Sequence, residues 1–265
     1  MHQESRWRIV EGEGPLIAVA NHAGHELRRE AATLTALSDA ERLREEDPYT
    51  DAWTAVAPTR VVTTMSRFEV DLNRARAEAF YRNPADAWGL NLWKTPPDDD
   101  FVARSLEIYD RFYRELHRLC AAKVEQHGKF VVLDLHSYNH RRDGPEAPPA
   151  DPAGNPDVNL GTGTMDSGRW GPLVDRFVSD LSTADYLGGN LDVRENIKFK
   201  GRGFPIWVHT TFPETGCVLA VEFKKIFMDE WTGELAADAH EAIRRALQSC
   251  IPGLLESLAS LGAHG

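Results

Sequence analysis

The sequence is poor in cysteine, has no closely spaced cysteine pair and contains no long apolar run. Its three cysteines, Cys120, Cys217 and Cys250, stand far apart. With no Cys-x-x-Cys, neither a thiolate metal motif nor a disulfide framework is expected, and reduced thiols suit a cytoplasmic location. No apolar stretch approaches the roughly 18 residues of a membrane span, and the first residues are polar and charged, without an apolar leader. Basic clusters are scarce as well: 30 Lys and Arg stand against 41 Asp and Glu, a net charge of −11. Nucleic acids and anionic membranes need clustered cations, so neither is expected as a partner. Internal repeats and low-complexity tracts are also missing.

What the chain does have is enough apolar residue, 42%, to bury a core. Strand-like and helix-like stretches alternate, and no Pro/Gly/Ser-rich linker divides them. One α/β domain over residues 1–265 is expected, with a mixed, mostly parallel central sheet flanked by helices. Pro15 to Ala20 reads as a short strand and Leu27 to Arg44 as a helix, which Asp47-Pro48-Tyr49-Thr50-Asp51 interrupts. Arg60 to Met65 is a β-branched strand, and Arg82 to Pro97 an ordered irregular loop. Val102 to Gln126 has helical spacing and stops at Gly128. Phe130 to Leu135 is the next strand. Asp143 to Gly168, rich in Pro, Gly, Asn and Asp, reads as a long loop, functional or mobile. A helix over Trp170 to Leu181, a basic turn-rich segment Ile197 to Gly203, a strand Gly216 to Phe223 and a closing helix Ala236 to Leu258 complete the reading.

Three of these strands end in ionisable residues: His22, His136 and Glu222. Strands normally finish in turn-formers, and open α/β sheets bind ligands at the carboxyl ends of their strands. One such residue alone could be a satisfied core histidine; three on one sheet point to a single site. Glu222, at the end of an apolar strand, should be partly desolvated, which raises its pKa toward the range of a general base. The alternative is a structural ion pair with Lys224 or Lys225. Arg67, Asn73 and Arg74 form a second group, with guanidinium donors suited to a carboxylate; the alternative is a surface Arg paired with Asp71 or Glu69. The tryptophans (Trp53, Trp88, Trp93, Trp170, Trp207, Trp231) are expected to pack, with Trp88 and Trp93 as candidate pocket walls.

In order, Asn21-His22-Ala23-Gly24, Thr50-Asp51-Ala52-Trp53, Ser66 to Arg74 (Ser-Arg-Phe-x-x-Asp-Leu-Asn-Arg), Asp134 to Ser137 (Asp-x-His-Ser), Asn196 to Gly201 and the strand glutamate Glu222 resemble the N-formylglutamate amidohydrolase branch of the zinc carboxypeptidase-like hydrolases. The resemblance implies that superfamily's phosphorylase/hydrolase-like fold and one zinc ion per chain, although other divalent ions accept the same N/O donors. A catalytic zinc takes about three protein ligands and keeps one open position. His22 and His136 are two of them. The family pattern makes Asp51 the third; Glu26 is the rival, because carboxypeptidases use His-x-x-Glu and position 25 here is His. His25 itself is the outsider. Glu222 becomes the general base, and Arg67, Asn73 and Arg74 the anchor for a substrate carboxylate. Asn196 and Lys200 would polarise the scissile carbonyl or shape the pocket. Arg141, Arg142 and Arg202 are cations that the family pattern lacks, which suggests a more acidic or differently shaped substrate.

The reading that follows is a zinc-dependent amidohydrolase cutting a small N-acyl amino acid with a free carboxylate. A carboxypeptidase-like metallopeptidase acting on a peptide or isopeptide end is the variant, decided by whether segment 143–168 covers the site. A non-catalytic metal- or ligand-binding homologue is the alternative from another class, and retention of Glu222 counts against it. Homo-oligomerisation is left open.

Overall fold

The structure, a computed structural model, describes residues 6–261. At its centre is one seven-stranded mixed sheet. In chain order its strands are β1 (Trp7–Val10), β2 (Leu16–Ala20), β3 (Thr59–Thr63), β4 (Phe130–Tyr138), β5 (Val158–Gly161), β6 (Val193–Glu195) and β7 (Gly216–Lys224). They lie in the order β1-β3-β2-β4-β7-β5-β6. The four central strands, β3, β2, β4 and β7, run parallel. β1 and β5 are antiparallel to β3 and β7. Among the described residues the α-helices are α1 (Arg29–Leu34), α2 (Asp39–Glu45), α3 (Thr50–Trp53), α4 (Asp99–His127), α5 (Ser167–Thr183), α6 (Phe204–Thr211) and α7 (Ala237–Ser260).

Strand alternation divides the core in two. On one face Val131, Leu133 and Leu135 of β4 join Leu219 and Val221 of β7 beneath α5 and α7. On the other, Phe130, Val132 and Val218 meet Phe112, Leu116 and Leu119 of α4 and Phe204 of α6. All nine β4 residues are buried, as expected for a central parallel strand covered on both sides. At its C-terminal end the α4-facing row changes from apolar residues to Asp134 and His136, and the strand register sets His136 directly beside Glu222.

Several expectations need correction. β4 runs on to Tyr138, so His136 lies inside the strand rather than beyond its tip. The expected helix 27–44 is two helices, because Ala36 N donates to the Leu92 carbonyl at 2.8 Å and Ser38 starts α2 afresh with a capping box to Glu41. The segment 143–168 is not wholly loop, since it contains β5. The short strands β1 and β6 and the helix α6 had no clear sequence signal.

Candidate metal centre and active site

His22 sits in the turn after β2, and His136 near the end of the adjacent strand β4. Their ring centroids are 4.8 Å apart. The carboxylate between them is that of Asp47, in the segment joining α2 to α3. Its Oδ2 lies 2.8 Å from His136 Nδ1 and 3.4 Å from His22 Nδ1. Donor atoms around a tetrahedral zinc are about 3.3 Å apart, so these spacings suit one ion. His22, Asp47 and His136 are all buried, with one donor atom each within 4.8 Å of the others.

Neither Asp51 nor Glu26 takes the third position; both are exposed. Asp51 is in the single turn of α3, whose buried residues are Thr50 and Trp53, so its side chain faces out. Glu26 is clamped by its main chain to Thr64 and Ser66, with its side chain outward. His25 pairs with Glu46 at 2.5 Å instead of reaching the cluster. Asp47 is held by three devices. Its N–H donates to the His22 carbonyl at 2.9 Å. Pro48 follows it and disfavours continuation of the helix. Buried Lys225 donates to the carbonyls of Arg44 (2.5 Å) and Glu46 (2.8 Å) immediately upstream.

The partners around these side chains suit a divalent ion. Asp71 accepts from His22 Nε2 at 2.8 Å, Arg67 at 2.8 Å, the Asn73 main chain at 2.8 Å and the Tyr81 hydroxyl. Burial alone raises a carboxyl pKa, but the charges of His22 and Arg67 and these bonds hold Asp71 well below its ordinary value. His22 Nε2 is turned to Asp71, which leaves Nδ1, 3.4 Å from Asp47 Oδ2, as the nitrogen placed to ligate an ion beside that carboxylate. Carboxylates behind metal-bound imidazoles are the usual orienting arrangement. Asp47, Asp134 and Glu222 add further negative charge, which a dication offsets.

Glu222 keeps partial access to solvent. Burial pushes its pKa up to about 7; the charges of Asp47 and Asp134 add to the rise, while His136 and His22 oppose it. Neither neighbouring lysine neutralises it: Lys224 bonds Asp157 at 2.6 Å, and Lys225 holds the carbonyls just described. A carboxylate that titrates near neutrality beside two imidazoles can accept and return a proton.

Arg67, Asn73 and Arg74 are brought to this site through Asp71. Arg74 Nε is 3.8 Å from Asp71 Oδ2, and its guanidinium lies over the Tyr81 ring. Two guanidiniums against one carboxylate leave a positive charge for an incoming anion. The expected alternative, a surface pair with Asp71, is half right: the pair exists, but Asp71 is fully buried and serves His22. Glu69 pairs with Arg28. Asn73 is fixed by the Phe204 N–H, which donates to its Oδ1 at 3.0 Å. This approach explains the glycine of the Ile197 to Gly203 segment. Gly203 has φ 70°, and a Cβ there would lie 1.7 Å from the Asn73 carbonyl oxygen.

Asn196, Lys200 and Arg141 are not gathered with these groups. Asn196 braces the β5–α5 connection through Thr162 N (3.0 Å) and Thr162 Oγ1 (2.8 Å). Lys200 is exposed. The main chain of Arg141 is tied to Glu230 and Trp231. Arg142, by contrast, reaches Glu45 at 3.3 Å, as does Trp88 Nε1 at 2.9 Å; Trp93 is core. The residues that sequence reasoning missed are Asp47, Tyr81, Asp134 and Lys225. Asp47 had one visible signal, an acid placed between a helix and a proline.

The family model for N-formylglutamate amidohydrolase matches residues 14–228. Among solved structures, N-formylglutamate amidohydrolase from Ralstonia eutropha JMP134 superposes with a TM-score of 0.72 at 19% identity, covering 96% of this chain and 97% of its own. A gene product from Agrobacterium tumefaciens gives 0.64 at 19% identity, with coverages of 92% and 95%. No curated protein matches the sequence.

Proposed function

Because the chain belongs to the N-formylglutamate amidohydrolase family, we propose that it hydrolyses the amide of a small N-acyl amino acid bearing a free carboxylate, N-formylglutamate being the reference substrate. The observation that carries this reading is the convergence of His22, Asp47 and His136 beside a glutamate that titrates near pH 7. The two imidazoles and Asp47 would hold the ion; zinc suits their N/O donors and their spacing. Bound there, zinc supplies Lewis-acid polarisation of a carbonyl and makes water more acidic.

The remaining steps belong to the chain. Arg67 and Arg74 receive the substrate carboxylate, and the Asn73 amide fixes its orientation. Glu222 takes the proton from the attacking water and returns it to the departing nitrogen as the C–N bond breaks. Asp71 holds the His22 ring on one side and the arginine pair on the other, so ion site and anchor share one carboxylate.

The test is direct. Purified protein, stripped by chelator and reloaded with zinc, is assayed for amine release from N-formyl-L-glutamate, N-acetyl-L-glutamate and the corresponding diesters. Turnover of the free acids that chelator abolishes and zinc restores is the expected result. A protein that holds one metal per chain yet releases no amine from any N-acyl amino acid would overturn the proposal.

A further inference from the structure

Asp134 is fully buried, and neither of its carboxylate oxygens has an aligned hydrogen bond. An isolated buried carboxylate is strongly unfavourable unless a partner compensates it. Its neighbour in reach is His136, two residues along the same face of β4, with Nε2 3.1 Å from Oδ1. The same Nε2 is 3.1 Å from Asn73 Nδ2. The Phe204 N–H into Asn73 Oδ1 fixes which end of that amide faces the ring, so the imidazole nitrogen lies between a donor and an acceptor. It cannot accept from Asn73 and donate to Asp134 with one proton position.

We propose that Asp134 is a positioning residue that takes the Nε2–H of His136, turning its Nδ1 lone pair toward the ion and releasing the Asn73 amide for the substrate carboxylate. A cation on Nδ1 requires the proton on Nε2, where Asp134 accepts it and Asn73 has nothing to donate to. His22 has Asp71 in the same role, so each imidazole has a carboxylate behind it. The consequence is a link between ion loading and substrate capture through one ring.

This inference rests on the metal-centre reading above, and the experiment separates the two. Zinc affinity is measured for the wild type and Asp134→Asn by competition with a chromogenic chelator, with folding checked by circular dichroism. The variant keeps shape and removes charge. A loss of about 10-fold or more in affinity is expected, the range for partners behind metal-binding histidines, with activity largely recovered at saturating zinc. Equal affinity in wild type and variant overturns the role of Asp134, whereas absence of zinc binding in the wild type overturns the metal centre itself. A second measurement does not depend on the variant folding. Nitrogen-15 NMR of the zinc-loaded wild type should show His136 protonated at Nε2, with that proton shifted downfield by its carboxylate partner. An unprotonated Nε2 would overturn the proposal.

Discussion

Glu222 shows what one position at a strand end contributes. Its pKa of about 7 makes a definite pH dependence: the base form accumulates as pH rises through that value, so kcat/KM should climb on an acid limb and then flatten. A bound dication lowers the midpoint, which places the limb between the ordinary carboxylate range and pH 7. Glu222→Gln should retain the ion, lose the limb and reduce kcat by about 10²-fold to 10⁴-fold; turnover within 3-fold of wild type would remove the base assignment. Stability gives the opposite sign. A carboxyl raised from 4.5 to about 7 on folding favours the folded state fully below pH 4.5, and that contribution is lost as pH rises through 7. With chelator present at pH 8, Glu222→Gln should therefore melt higher than wild type, by about 1–3 kcal/mol. His22, His136 and Glu222 were legible because each interrupts an apolar run. Asp47 was not, because its place depends on a path that Pro48 and Lys225 impose from opposite ends of the chain.

At the level of elements, two supports act on different halves of the site. Lys225, at the end of the strand that bears Glu222, holds the α2–α3 connection through the carbonyls of Arg44 and Glu46. Lys225→Met removes the donor from a buried carbonyl, that of Glu46, at about 1–3 kcal/mol, and from the half-buried one of Arg44, and lets Asp47 move. It should lower both the melting temperature and zinc affinity. Gly203, before α6, sets Asn73. Gly203→Ala pushes on the Asn73 carbonyl, so it should raise KM about 10-fold or more, with any change in zinc affinity passed on through Asn73 and His136 smaller than that in Lys225→Met. An equal loss of zinc affinity in the two variants would mean that the two supports are not separate. These contacts were beyond the sequence reading for a general reason. The strands β2, β3, β4 and β7 announce themselves through continuous apolar, β-branched residues, and α4 through its period and its Gly128 stop. The four-residue β5 exists because β7 and β6 offer hydrogen bonds on either side, and α6 begins at a glycine chosen for close approach rather than for helix formation.

Over the whole molecule, the mostly parallel core was legible from strand-like stretches alternating with helix-like ones, and the candidate site from where ionisable residues broke the apolar pattern. The edge strands β1 and β6 were not, since edge strands bury less and carry weaker patterns. That architecture gives the ion a structural role. His22, Asp47 and His136 come from three separate chain segments, so an ion that binds them together binds only the folded state. At free zinc 100 times its Kd, the linkage amounts to about 2.7 kcal/mol, or a rise in melting temperature of about 5–10 °C for a domain of this size. The rise should vanish with chelator, in His136→Ala and in Asp47→Ala, and persist in Asp51→Ala and Glu26→Ala. It should also shrink as pH falls, because protons compete for the imidazole nitrogens and for Asp47. Scanning calorimetry at several zinc concentrations checks each part. A shift that survives His136→Ala, or disappears in Asp51→Ala, would mean that the ion sits on a different set of side chains.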